Sequence, residues 1–245
     1  MDKPVTNFKT FLLELLFPSF CLGCKKEGVL LCQDCKSTLE ISEYNYCLCS
    51  KNPLRLPAGS RRGKCGSCQD KKLSGLYSAL PYKEKLLTKK LIYQFKYEPH
   101  IKSLATPLAE VLLEHLLLVG ANAEIIWQNS VLIPVPLDQK KIKNRGYNQS
   151  EELAKGLSKT LKIPLISNNL IKIKTTLPQM KLSKDERERN LQGAFAVKTP
   201  AEFADKKVFL VDDVYTTGST MEECATVLRT GGAKQVWGIA VAREG

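Results

Sequence analysis

Residues 208–220 read VFLVDDVYTTGST, and the order of chemistry within that stretch decides the fold. Residues 208–211 form a short continuous apolar run after the charged approach Asp205-Lys206-Lys207, which suits a strand covered on both faces of a parallel sheet. Asp212 and Asp213 then stand at its carboxyl end, where open α/β sheets place their ligands. Carboxylates there can accept from sugar hydroxyls or hold Mg²⁺ through water. Thr216-Thr217-Gly218-Ser219-Thr220 offers hydroxyls and unpaired backbone N–H groups at the start of a helix, an anion site in which Gly218 lets the backbone approach a phosphate closely. The chemistry points to a sugar phosphate. A capping aspartate would explain one carboxylate, but not the pair plus four hydroxyl residues around a glycine. The Gly-Lys-Ser/Thr sequence of a P-loop is absent, so nucleotide hydrolysis by that route is not supported.

Upstream of this stretch, strands and helices alternate. Strands are expected over 76–82, 131–133 and 170–174, with a last one over 235–242; helices are expected over 83–97, about 101–119, 150–161 and 219–230. Such alternation implies a mainly parallel, doubly wound sheet with helices on both faces. Between 134 and 149 lies a cationic loop with Lys140, Lys141, Lys143, Arg145, Gly146, Asn148 and Gln149, suited to a diphosphate, with Arg145 able to make bidentate contacts. Residues 177–195 are charged on both signs, including Arg187 and Arg189, and read either as a lid that folds over a bound anion or as a surface helix with weak internal ion pairs.

At 245 residues, 43% of them hydrophobic, the chain has material for one α/β domain and a small appendage. Its 37 Lys and Arg against 25 Asp and Glu leave a net charge of +12, a balance that favours polyanions or phosphorylated metabolites. The helix expected over 83–97 concentrates that charge. Lys83, Lys89, Lys90 and Lys96, with Tyr93 and Tyr97, could grip and stack on a single strand of nucleic acid, or form the solvated face of an amphipathic helix.

Eight of the nine cysteines precede residue 69. Cys21-x-x-Cys24 and Cys32-x-x-Cys35 are knuckles that can present four thiolates to one tetrahedral Zn²⁺. Cys47, Cys49, Cys65 and Cys68 make a second set, although Cys47-Leu48-Cys49 is one residue tighter than a normal knuckle. A four-cysteine site has no open position for water, so both are expected to be structural and to fold a segment too small for a core of its own. The apolar run over 5–17 is expected to be a helix. Lys9 and Glu14 interrupt it and Pro18 stops it, and it is too short to span a bilayer. The expected division is 1–17 (N-terminal helix), 18–72 (cysteine-rich module) and 73–245 (α/β domain), and the expected location is the cytoplasm.

The stretch over 208–220 resembles the 5-phosphoribosyl 1-diphosphate (PRPP) motif of type I phosphoribosyltransferases. Taken with the paired knuckles, the Pro134-Val135-Pro136 strand end, R-G-Y-N-Q-S-E-E-L-A, and L-P-Q followed by E-R-x-R-N-L-x-G-A-F, almost the whole chain closely resembles the ComF family. That resemblance implies a double zinc ribbon joined to a phosphoribosyltransferase-like domain, and a role in DNA uptake during natural transformation. It carries PRPP contacts onto Arg145, Gly146, Asn148 and Gln149, onto Gln179, Arg187, Arg189 and Asn190, and onto Asp212, Asp213, Tyr215 and residues Thr216, Thr217, Gly218, Ser219 and Thr220. Asp212 and Asp213 would be the catalytic pair of a transferase, with Mg²⁺ accompanying PRPP. The implied partners are PRPP, incoming single-stranded DNA and the DNA-uptake helicase or other competence proteins. Two further readings stand beside it: an active transferase of small-molecule metabolism, and a PRPP-sensing regulator without turnover.

Overall fold

The computed structural model describes residues 18–57, 63–83, 86–121, 124–174 and 190–244. They fall into two compact units, parted between Glu40 and Ile41. The sequence groups both cysteine sets in one module, whereas these contacts assign the second set to the larger unit. The helix expected over 5–17 lies outside the described residues.

In the smaller unit, Phe20 and Glu27 form an antiparallel bridge, followed by helix α1 (Gln33–Ser37), whose N-cap Cys32 accepts a bond from the Cys35 N–H through its sulfur. Among its described residues Leu22 and Leu39 are the buried aliphatic ones, with Cys21 and Cys32.

The larger unit is built on a parallel sheet. In chain order its elements are β1 (Gly75–Pro81), α2 (Leu87–Lys96), α3 (Ala105–Leu118), α4 (Glu124–Trp127), β2 (Ser130–Pro134), α5 (Gln139–Arg145), α6 (Gln149–Leu161), β3 (Leu170–Lys172), β4 (Phe195–Val197), β5 (Lys207–Tyr215), α7 (Ser219–Thr230) and β6 (Gln235–Arg243). The sheet order is β1-β6-β5-β2, and every neighbouring pair is parallel. A parallel bridge from Leu132 to Leu165 continues it beyond β2. Val208, Leu210, Val211, Val236, Ile239 and Val241 are all fully buried, as a sheet covered on both faces requires. Among the covering helices, α3 and α6 cross closely at Gly156, where a Cβ would come 2.9 Å from that of Ala109.

Four elements differ from expectation. The central strand does not stop at Val211; it runs on to Tyr215 because β6 continues beside it, pairing Asp212 with Ala240, Val214 with Ala242 and Tyr215 with Arg243. The acid pair is therefore inside the strand. The cationic loop holds a helix, α5, started by the Asp138 carboxylate, which accepts from the Lys140 N–H, and ended by left-handed Gly146. The helix expected from residue 83 begins only at Leu87. Strand β4 was not anticipated; it pairs antiparallel with β3 in a separate two-stranded sheet.

One buried tether precedes the second cysteine set. His115 of α3 is fully buried, and its Nδ1 lies 2.7 Å from the Ser42 carbonyl oxygen, which assigns the proton to Nδ1. Burial pushes its pKa down to about 4, so the ring is neutral at physiological pH.

Candidate functional site

Asp212 and Asp213 meet different partners. The Ser150 hydroxyl, in the first turn of α6, donates to Asp212 Oδ1 at 2.9 Å, as does the Asp213 N–H. Burial, and then the charge of Asp213, push the Asp212 carboxyl up to about 7, against the pull of Lys96. Asp213, whose side chain is only 3% exposed, holds Lys96 Nζ at 2.7 Å from its Oδ1. Burial alone would lower the Lys96 pKa, but the two carboxylates outweigh it and raise it. Lys96 comes from the last turn of α2, and the Tyr147 hydroxyl fixes that turn by donating to the Phe95 carbonyl at 2.7 Å.

The loop after β5 is shaped for an anion. Gly218 takes φ +81° at the N-cap of α7 and has no side chain to cap it. A Cβ there would lie 2.3 Å from the Tyr215 hydroxyl, so only glycine fits between the loop and that ring. The Thr217 and Ser219 hydroxyls stand 2.9 Å apart at a helix N-terminus whose dipole favours negative charge. On the facing loop, Asn148 is committed to structure: its Oδ1 accepts from the Ser150 N–H at 3.1 Å and its Nδ2 donates to the Val135 carbonyl at 3.0 Å. It thereby sets the α6 N-terminus. Its neighbours are not committed in this way. Arg145 Nε and Nη1, Gln149 Oε1 and Asp213 Oδ2 are buried and have no hydrogen-bond partner among the described residues. Buried polar atoms without partners are rare, and these four present two donors and two acceptors.

The floor of the loop belongs to the second cysteine set. Tyr215 donates its hydroxyl to the Leu48 carbonyl at 3.0 Å, Lys71 Nζ reaches the same carbonyl at 2.9 Å, and Lys71 also lies 3.3 Å from the tyrosine oxygen. Arg243, ending β6, donates to the Cys47 carbonyl at 3.2 Å and the Cys49 carbonyl at 2.9 Å. Glu222, in the first turn of α7, accepts from the Lys72 N–H and, at 3.3 Å, from the Leu73 N–H. Three successive carbonyls between the first two cysteines are thus fastened to the ends of β5 and β6.

Both cysteine sets can hold a metal. In each, the four Sγ atoms lie within 4.8 Å of one another. Cys24 and Cys32 are 3.5 Å apart, Cys49 and Cys65 3.6 Å, and Cys65 and Cys68 3.7 Å. A zinc tetrahedron with bonds of about 2.3 Å has edges of about 3.8 Å, so both sets fit Zn²⁺, including the one with the tight Cys47-Leu48-Cys49 turn.

Among the cationic residues of α2 and its approach, Lys83 and Lys90 are exposed and Lys89 is half-buried. Tyr93 and Tyr97 are 53% and 41% exposed, with ring centroids 4.9 Å apart. Lys96 does not join this outer set, since it reaches the acid pair instead. A spacing gives it away: Thr88, Ile92 and Lys96 are four residues apart, and the first two are buried, so Lys96 shares the inward face. Sequence reasoning also missed Lys71 and Arg243, whose partners lie 144 and 194 residues away. Gln179, Arg187 and Arg189 fall outside the described residues.

Comparison with known proteins extends this picture. A family profile described as "Phosphoribosyl transferase domain" matches residues 104–244. Competence protein F of Haemophilus influenzae is 44% identical over 112 residues, covering 44% of this chain and 49% of its own, about half its length. DNA utilization protein YhgH of Salmonella typhi is 31% identical over 221 residues, 84% of this chain and 95% of its own. Competence protein ComFC of Streptococcus pneumoniae is 27% identical over 229 residues, 91% of each. Because the likeness runs the length of the chain, and not through the sugar-phosphate motif alone, this chain belongs to the ComF family.

Proposed function

We propose that this protein binds PRPP with Mg²⁺ in the pocket between β5, α6 and α7, and that it acts in the cytoplasm in DNA uptake, taking single-stranded DNA on the outer face of α2. The observation that carries the PRPP reading is the set of buried, unpartnered atoms on Arg145, Gln149 and Asp213 beside the uncapped start of α7. PRPP supplies what they lack: hydroxyls for the Asp212 and Asp213 carboxylates, a 5-phosphate for the loop from Thr216 to Thr220, and a diphosphate for Arg145 and the Gly146–Gln149 turn, with Arg187 and Arg189 joining it. Carboxylate and hydroxyl oxygens suit Mg²⁺, which would neutralise diphosphate charge. The DNA reading rests on the exposed Tyr93–Tyr97 pair beside Lys89 and Lys90, a stacking surface with counter-charges, and on the names of relatives involved in competence and DNA utilization.

Calorimetric titration with PRPP and Mg²⁺ tests the pocket. A folded Asp212→Asn, Asp213→Asn double variant should lose affinity, and unchanged affinity would overturn the assignment. Pyrophosphate release in the presence of candidate acceptors, single-stranded DNA included, then separates turnover from binding. Fluorescence anisotropy at several salt concentrations tests the DNA face, where affinity should fall steeply with salt. Lys89→Glu with Lys90→Glu should weaken DNA binding and its salt slope while leaving PRPP binding intact.

A further inference from the structure

We propose that Lys96 is the resident cation of the acid pair: its ammonium takes, at Asp213, the place a divalent cation would otherwise take, and so sets how far the site depends on Mg²⁺. The first half stands on the geometry alone, and the second rests on the reading of the pocket given above.

A carboxylate as enclosed as that of Asp213 does not stay charged without a counter-charge. Lys96 supplies it through a contact of 2.7 Å to Oδ1, the length of a charge-assisted bond. The ammonium is not a surface group that has wandered in. Its side chain is 22% exposed, it lies on the face of α2 that carries buried Thr88 and Ile92, and the turn from which it reaches is held by the Tyr147–Phe95 bond. Asp212 Oδ1 already accepts from Ser150 and the Asp213 N–H, and Asp213 Oδ2 has no hydrogen-bond partner among the described residues.

The carboxylates and the Ser150 hydroxyl are hard oxygen donors of the kind that bind Mg²⁺ and Mn²⁺. A divalent cation approaching them would meet the ammonium charge and find Oδ1 taken. In the protein without ligand, the pair therefore holds no divalent ion. Replace Lys96 by an uncharged side chain of similar length and two buried carboxylates are left together, the arrangement that draws a cation in. Because one positive charge is built into the wild-type site, part of the electrostatic work that Mg²⁺ performs for a sugar diphosphate is already done before the metal arrives.

The probe is Mn²⁺ alone, titrated into the zinc-loaded full chain and followed by the electron paramagnetic resonance of the free ion. Lys96→Met should acquire one Mn²⁺ site that wild type lacks. Adding Asp213→Asn should abolish it, and Lys96→Arg, which keeps the charge, should not create it. Mn²⁺ should also raise the unfolding temperature of Lys96→Met and leave that of wild type unchanged. If Lys96→Met does not fold, Lys96→Gln is titrated in its place. A wild-type Mn²⁺ site as tight as the variant's, or a folded uncharged variant with none, overturns the proposal. For the second half, the ratio of PRPP affinities with and without Mg²⁺ should rise at least about tenfold on Lys96→Met, and an unchanged ratio overturns it. Failure of PRPP to bind either protein would remove the ligand reading, while the Mn²⁺ titration would still decide the role of Lys96.

Discussion

The two cysteine sets share a chemistry and differ in what surrounds them. In the first, the ligands from Cys21 to Cys35 span a short stretch of chain, and among the described residues of their unit Leu22 and Leu39 are the buried aliphatic company; a metal there would tie the segment together. In the second, Cys47, Leu48 and Cys68 belong to the same buried cluster as Leu210, Tyr215 and Ala240 of the central sheet, and the carbonyls of 47–49 are held by Tyr215, Lys71 and Arg243. A motif read from spacing reports what the thiols can bind. Its surroundings report what binding is for: ordering a segment in one case, fixing the floor of an anion loop in the other.

The comparison breaks most sharply at Cys47. Cys47→Ser should leave one zinc per chain by metal analysis, lower the unfolding temperature, and weaken PRPP binding by about a hundredfold, the scale expected when a loop that positions a ligand shifts by an ångström. Retained PRPP affinity in a one-zinc protein would show that the second set does not support the pocket.

Acid should loosen the second set's approach before the sheet. His115 has a folded pKa near 4 against an ordinary value of 6.5, so as pH falls the unfolded chain takes up the proton first. The stability it contributes is complete above about 6.5 and is lost as pH drops towards 4, about 3 kcal/mol in all. Denaturant unfolding of wild type and His115→Leu across that range measures it; parallel pH profiles would refute the assignment.

A smaller effect isolates the link itself. Tyr215→Phe removes the hydroxyl that donates to Leu48 and keeps every thiol, so zinc content should stay at two while stability falls by about 1 kcal/mol and PRPP affinity falls several-fold, read by calorimetry. The smallest effect is the control. Cys35→Ser should also cost one zinc and solubility of the smaller unit, yet change PRPP affinity by less than about twofold. A loss as large as that of Cys47→Ser would erase the distinction.

Legibility from sequence followed the range of the interaction. The buried strand, the hydroxyl loop and α7, whose bounds at Ser219 and Thr230 matched expectation, are specified by neighbours within a few residues, as are the thiol pairs. What was missed depends on partners far along the chain. The strand continues past Val211 because β6 lies beside it, a tertiary effect that a carboxylate pair seen locally argues against. Composition places Lys96 with the outward lysines of its helix, whereas its position four residues from buried Ile92 and eight from buried Thr88 places it on the inward face. The loop expected at 134–149 holds helix α5, whose Asp138 cap and Gly146 terminator are local signals set in a run of charge.

The anchors of the second set also bear on how the protein is made. Cys21, Cys24, Cys32 and Cys35 emerge from a ribosome almost together, so the first set can close on its metal early in synthesis. The carbonyls of Cys47 and Cys49 must wait for Arg243, 196 and 194 residues downstream, and that of Leu48 for Tyr215, 167 residues away. At a synthesis rate of about 5–20 residues per second, the nascent chain therefore spends roughly ten seconds or more with its second cluster unbraced. Over that interval the order of assembly runs from the first cysteine set to the clasp at Arg243, and the anion loop acquires its floor only once β6 is in place.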